Sequence, residues 1–137
     1  MSYRLFRGKR KDNGEWVYGY YVCLNEAKHF IYTGYAETDC GNYYPDYYEV
    51  IPETIGQYVC MSDKHGTMLF EGDVVDIEYV DFTGRYLVKY KEDRAWYALE
   101  PVPRRFVDEW LDPDAITYSG EIIGNIYDNP ELREVKE

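Results

Sequence analysis

An all-β fold is what this sequence predicts, on three grounds. Short segments alternate apolar and polar residues with the period of two that a half-buried strand requires. Clusters of Gly, Asn, Asp and Pro interrupt those segments at turn spacing. Seventeen tyrosines, five phenylalanines and three tryptophans supply the β-favouring aromatic mass that a disordered chain lacks. At 137 residues the chain buries roughly two-thirds of its unfolded surface, enough for one domain or two very small ones without disulfides or metals.

Residues 3–24 predict a hairpin. Tyr3–Lys9 alternates loosely, Asn13-Gly14 supplies the turn, and Trp16–Leu24 returns with Trp16, Tyr18, Tyr20 and Val22 on one face. Gly19, on the other face, is expected to mark a bulge. A third strand follows at His29–Thr33. Residues 34–50 then read as an aromatic loop with five tyrosines. Tyr32, Tyr35, Tyr43, Tyr44, Tyr47 and Tyr48 are therefore the candidate interaction surface, by packing on a core or on a second subunit. A pocket for a planar or sugar-like ligand is the alternative. Pro52 holds Ile51 extended, and the boundary between an N-terminal β subdomain, 1–54, and a C-terminal part, 55–137, is placed after Thr54.

From Ile55 the pattern sharpens. Gly66 suits the positive φ of a turn that brings Thr67–Phe70 back against Gln57–Val59, and Gly72 lets the chain swing at Glu71-Gly72-Asp73. Asp73 belongs to that structural turn and is not read as catalytic. Val75, Ile77 and Tyr79 then face inward, as do Tyr86, Val88 and Tyr90 after the turn. Because odd positions give way to even ones, the connecting loop must hold an even number of residues, and a two-residue loop sets Ile77 opposite Val88 and Asp76 opposite Lys89. Trp96–Leu99 and Gly120–Tyr127 are further strands. Residues 104–118 form an excursion with one helical turn near Val107–Leu111, stopped at Asp112-Pro113, and Asn129-Pro130-Glu131 has the chemistry of a helix start.

Several of these pieces carry a resemblance. Ile55-Gly56-Gln57-Tyr58, Asp63-Lys64-His65-Gly66, Phe70-Glu71-Gly72-Asp73-Val74-Val75 and Glu121–Leu132, with Phe6-Arg7-Gly8-Lys9 and Gly14-Glu15-Trp16-Val17, resemble the YopX protein family of phages and prophages over nearly the whole chain. The resemblance implies an SH3-like small β-barrel for the C-terminal part and a phage or prophage origin in a bacterial cell. It implies no activity or catalytic set. Val59-Cys60 stands where Thr-Gly is common in the family.

The chemistry points away from an enzyme. The sequence offers no Gly-x-Gly-x-x-Gly or Walker pattern, and its two histidines, His29 and His65, lie apart. Cys23, Cys40 and Cys60 form no Cys-x-x-Cys pair, so reduced thiols are expected, with no metal and no cofactor. Asp63, Asp73, Asp76 and Asp81 lack EF-hand spacing. No run of about 18 apolar residues and no apolar leader segment occur, so the expectation is a cytoplasmic protein without membrane attachment.

Charge narrows the partners. The net charge is −11: residues 1–11 hold five Lys or Arg and no acid, residues 12–54 one base and eight acids, residues 55–137 nine bases and eighteen acids. An acidic body repels phosphate, which leaves nucleic acid only the basic arm at 4–11. The expected function is a non-enzymatic module that binds itself, as a homo-oligomer, or a host or phage protein. An acidic decoy of a DNA-binding protein and a small enzyme with a Tyr-lined pocket are the alternatives.

Overall fold

The computed structural model describes residues 5–78, 83–102 and 110–133. It is mainly β, as the alternation requires, and the chain divides into two compact units, Met1–Tyr58 and Val59–Glu137. That division lies four residues beyond the expected boundary at 54, because the residues after Ile55 begin a strand that pairs with the N-terminal hairpin.

In the first unit β1 (Phe6–Lys9) pairs antiparallel with β2 (Trp16–Leu24), Phe6 opposite Gly19 and Lys9 opposite Trp16. The Asn-Gly turn closes as expected: Gly14 adopts φ 74° and its N–H donates to the Arg10 carbonyl at 2.9 Å. Asn25 and Glu26 both take left-handed φ, matching strand twist, and lead into β3 (Lys28–Glu37). β4 (Tyr43–Glu49) follows, and β5 (Gly56–Ser62) pairs with β1 through Gln57 and Gly56. The order is β4-β3-β2-β1-β5.

Two expectations fail here. Residues 34–50 are not a loop: β3 continues to Glu37, and β4 pairs with it from Phe30–Glu49 to Glu37–Tyr43. Glycine and proline, which ordinarily interrupt strands, are accommodated here for physical reasons. Gly34 sits at a bulge where the register shifts by one residue, and Pro45 lies on a strand at the end of the order, where a missing N–H is tolerated. The bulge is therefore in β3 and not at Gly19. At Gly19 the backbone is close: a Cβ there would lie 2.0 Å from the Tyr32 carbonyl oxygen, so only glycine fits. Ile31 and Val50 are fully buried, and Arg10 bridges Val50 with Lys11 N–H donating to the Glu49 carbonyl at 3.0 Å.

The second unit holds the remainder of β5, with β6 (Met68–Phe70) beside it, and a separate sheet. β7 (Asp73–Ile77), β8 (Gly84–Lys91), β9 (Trp96–Pro101) and β10 (Gly120–Asn125) are arranged β10-β7-β8-β9. This order has two ends among the described residues. Val75, Ile77, Tyr86, Val88 and Leu99 pack on one face with Val59, Leu69 and Ile116, while Val74, Leu87 and Val102 form a second cluster under Ile123, Ile126 and Leu132. Both faces are thus buried, and Leu87, which alternation places outward, is core.

The register differs from expectation. Ile77 lies opposite Gly84 and Asp76 opposite Arg85, while Val88 faces Leu99 and Lys89 faces Ala98. The connection from Ile77 to Gly84 spans residues 78–83, an even number as the parity argument requires. Alternation fixes parity alone, so a four-residue slide leaves every side chain on its face. Tyr90 is exposed, contrary to expectation, since it lies beyond the covered part of β8. Asp112-Pro113 starts a helical stretch: a 3-10 turn at Pro113–Ala115 runs into α1 (Ile116–Ser119), as suits proline at a first helical position. A further 3-10 turn spans Pro130–Arg133, but Asn129 caps backwards, its Oδ1 accepting from Asn125 N–H at 3.4 Å. The inward placement of Tyr79 and the helical turn near 107 fall outside the described residues.

Candidate functional site

Cross-strand register decides which side chains share a face. Tyr20 opposes Tyr32, which opposes Tyr47; Val22 opposes Phe30; Tyr35 opposes Pro45; Glu37 opposes Tyr43. Strand alternation adds Tyr18 and Leu24 to the same side. Tyr18, Tyr20, Tyr35, Tyr43 and Tyr47 on this face remain 45–69 % exposed, beside exposed Val22 and Leu24. Val22, Leu24, Phe30, Tyr32, Pro45 and Tyr47 line an open groove of about 210 Å³.

The rings are placed by one another. Phe30 meets Tyr47 edge-on at 5.6 Å, Tyr32 meets Tyr35 edge-on at 6.0 Å, and Tyr20 lies 6.4 Å from Tyr32. Such contacts contribute about 0.5–1.5 kcal/mol each beyond burial and hold the surface in one shape. Burial, together with a hydrogen bond to Tyr35, pushes the Tyr32 phenol up, so it stays neutral. Thr33, the extra residue of the bulge, donates its hydroxyl to the Asp46 carbonyl at 3.0 Å, pinning β4 where the register shifts.

Four of the expected residues, Tyr32, Tyr35, Tyr43 and Tyr47, come together on this face. Tyr44 and Tyr48 point to the other side, by alternation along β4, and Arg10 lies 4.2 Å over the Tyr48 ring. Sequence reasoning missed Tyr18, Tyr20, Val22, Leu24, Phe30 and Pro45 as partners of the surface. The period-two spacing of Tyr43, Pro45 and Tyr47 was the available signal, masked by the proline.

The turn residues occupy the second unit. Gly66 adopts φ 83°, and Gly72 adopts φ 93°, where a Cβ would come within 2.8 Å of the Tyr127 ring. Asp73 is buried and accepts the Phe70 N–H at 2.8 Å. The larger polar knot is Asp63, 5 % exposed: Oδ1 accepts from His65 N–H at 3.0 Å and Thr67 N–H at 2.9 Å, and Oδ2 from Ile122 N–H at 3.0 Å. Burial alone would raise its pKa, but these donors outweigh it and the carboxyl is held below its usual value. His65 is largely exposed and lies 3.3 Å from Glu121, while His29 is hydrogen-bonded to the Tyr21 hydroxyl at 2.6 Å. Cys60 carries a left-handed φ of 66°, which explains why glycine suits that position in the resembling family. Among the described residues no group of three His, Cys, Asp or Glu is placed to hold a metal ion, and no helix is long and apolar enough to cross a membrane.

These features define a mainly β protein of two compact units, the first exposing an aromatic sheet face. The YopX protein profile matches residues 5–134, and the chain belongs to the YopX family. Among solved structures it is similar to the crystal structure of protein EF1440 from Enterococcus faecalis, with a TM-score of 0.64 at 20 % identity, covering 98 % of this chain and 100 % of that one. At that identity the likeness establishes the fold alone. No curated protein matches the sequence.

Proposed function

We propose that this YopX-family chain is a non-enzymatic interaction module of a phage or prophage, and that it self-associates through the aromatic face of β2, β3 and β4. The observation that carries the reading is the size of that face. With aromatic side chains of about 150–250 Å² each, the exposed fractions of its five tyrosines amount to about 450–750 Å², with Val22 and Leu24 adding to them. The largest apolar patch on a typical monomer is about 300–600 Å², and a stable interface covers about 800 Å² per partner. Tyrosine suits the role, since a large rigid body is buried while the hydroxyl finds a partner.

The groove supports binding over catalysis. Its lining is aliphatic and aromatic, with the hydroxyls of Tyr32 and Tyr47 among its polar groups, a composition that suits burial against an apolar partner. The acidic charge bears on the partner too: a chain carrying −11 repels its own copies everywhere except across a surface with few charges. Sedimentation velocity between about 1 µM and 1 mM tests the reading. A concentration-dependent dimer or higher oligomer, weakened by Tyr20→Ser and Tyr47→Ser together, is the expected result. A monomer throughout that range refutes it.

A further inference from the structure

The reading above names a surface and leaves open how two copies meet on it. Resting on that reading, we infer that they meet face to face about a two-fold axis crossing the strands, so that β3 of one copy runs antiparallel over β3 of the other.

Edge-to-edge joining is disfavoured by backbone chemistry. The outer edge of β4 is the free end of the strand order in the first unit. Thr38 N–H donates to the Asn42 carbonyl at 2.7 Å, so in the alternation that follows, Tyr43 and Pro45 direct their backbone groups away from β3. Pro45 has no N–H to offer an added strand. At the far end of β4 the Glu49 carbonyl already accepts from Lys11 N–H at 3.0 Å. Strand addition would thus lack a donor in its middle and be blocked at one end.

Charge selects the direction. On the aromatic face Lys28 begins β3, opposite Leu24, and Glu37 ends it, opposite Tyr43, about 30 Å away for ten residues. Both are exposed, and among the described residues neither has an ion-pair partner. The other charges of the face are engaged: Glu49 pairs with Lys11 at 3.2 Å, and Arg7 and Lys9 lie 4.6 and 5.8 Å from the Trp16 ring centre. An axis along the strands would set Lys28 against Lys28 and Glu37 against Glu37. An axis across them sets each Lys28 over the other copy's Glu37, with Tyr32 near the centre. Opposite charges at both ends of an apolar strip fix orientation more than they add affinity.

Charge exchange tests this. Lys28→Glu and Glu37→Lys each convert both rim pairs to like charges, and each is expected to raise the dimer Kd about tenfold at low salt. The double variant restores the wild-type Kd, an equimolar mixture of the two single variants associates more tightly than either alone, and Pro45→Thr leaves Kd unchanged. If wild type dimerises while the single variants stay within about twofold of it, or the double variant fails to restore, the antiparallel arrangement is overturned and self-association stands. Tighter association of Pro45→Thr, insensitive to both charge changes, overturns it in favour of edge pairing. A wild-type monomer at about 1 mM removes the reading beneath it, and with it this inference.

Discussion

Replacing Asp63 by Ala should cost the second unit about 3 kcal/mol. The carboxylate accepts three backbone N–H groups, those of His65, Thr67 and Ile122, and so joins the β5–β6 turn to β10. A hydrogen bond to a charged group contributes about 1.5–3 kcal/mol net, but one truncation does not cost three such bonds. His65 and Thr67 are exposed, so water recovers part of their loss, whereas Ile122 is half-buried and recovers less. Asp63→Asn keeps an acceptor for the turn but sets an amide NH₂ against Ile122 N–H, for about 1.5–2 kcal/mol. With a urea slope of about 1.5 kcal/mol/M, Asp63→Ala lowers the midpoint by about 2 M. The pH dependence has a definite sign. Because the folded carboxyl titrates below its unfolded value near 3.9, its contribution is complete above that value and fades as pH falls through the folded one. Urea unfolding of wild type and Asp63→Ala at about pH 7 and pH 3, followed by tryptophan fluorescence and far-UV circular dichroism, measures both effects. A difference under about 0.5 kcal/mol at neutral pH, or one that does not shrink in acid, would refute the reasoning.

Three other outcomes follow from single positions. Gly19→Ala drives a Cβ into the Tyr32 carbonyl and should cost about 2–3 kcal/mol, seen as a lower Tm or loss of soluble protein. Cys60→Gly relieves a left-handed φ worth about 1–2 kcal/mol against a chain-entropy cost of about 0.5–1, so the urea midpoint should rise slightly, whereas Cys60→Val should lower it. Burial raises the Glu71 carboxyl above its usual value despite the Tyr90 N–H that it accepts. Its contribution is therefore present below the unfolded value and lost as pH rises through the folded one, so Glu71→Gln should raise Tm at about pH 7 and leave it unchanged near pH 4.

What could be read from residues alone was what neighbours along the chain decide. The all-β class, the hairpin through Asn13-Gly14, the positive φ at Gly66 and Gly72 and the even parity of the 78–83 connection are local consequences of periodicity and turn chemistry. The aromatic density of 32–48 was visible as well, but it was read as a loop where β3 and β4 pair as strands.

Tertiary structure decided the rest. Whether Gly34 and Pro45 end a strand or sit at a bulge and a free edge depends on what lies beside them, which no local pattern states. Pairing Val88 with Leu99 and Asp76 with Arg85, four residues from the parity-equivalent choice, rests on contacts far apart in sequence. The same holds for Leu87, buried because Val102, Ile126 and Leu132 cover the second face of its sheet. It holds again for Tyr20, which meets Tyr32 only when β3 folds back beside β2. Alternation tells a side chain which side it takes, and the strand that arrives next to it determines whether that side meets core, solvent or another molecule.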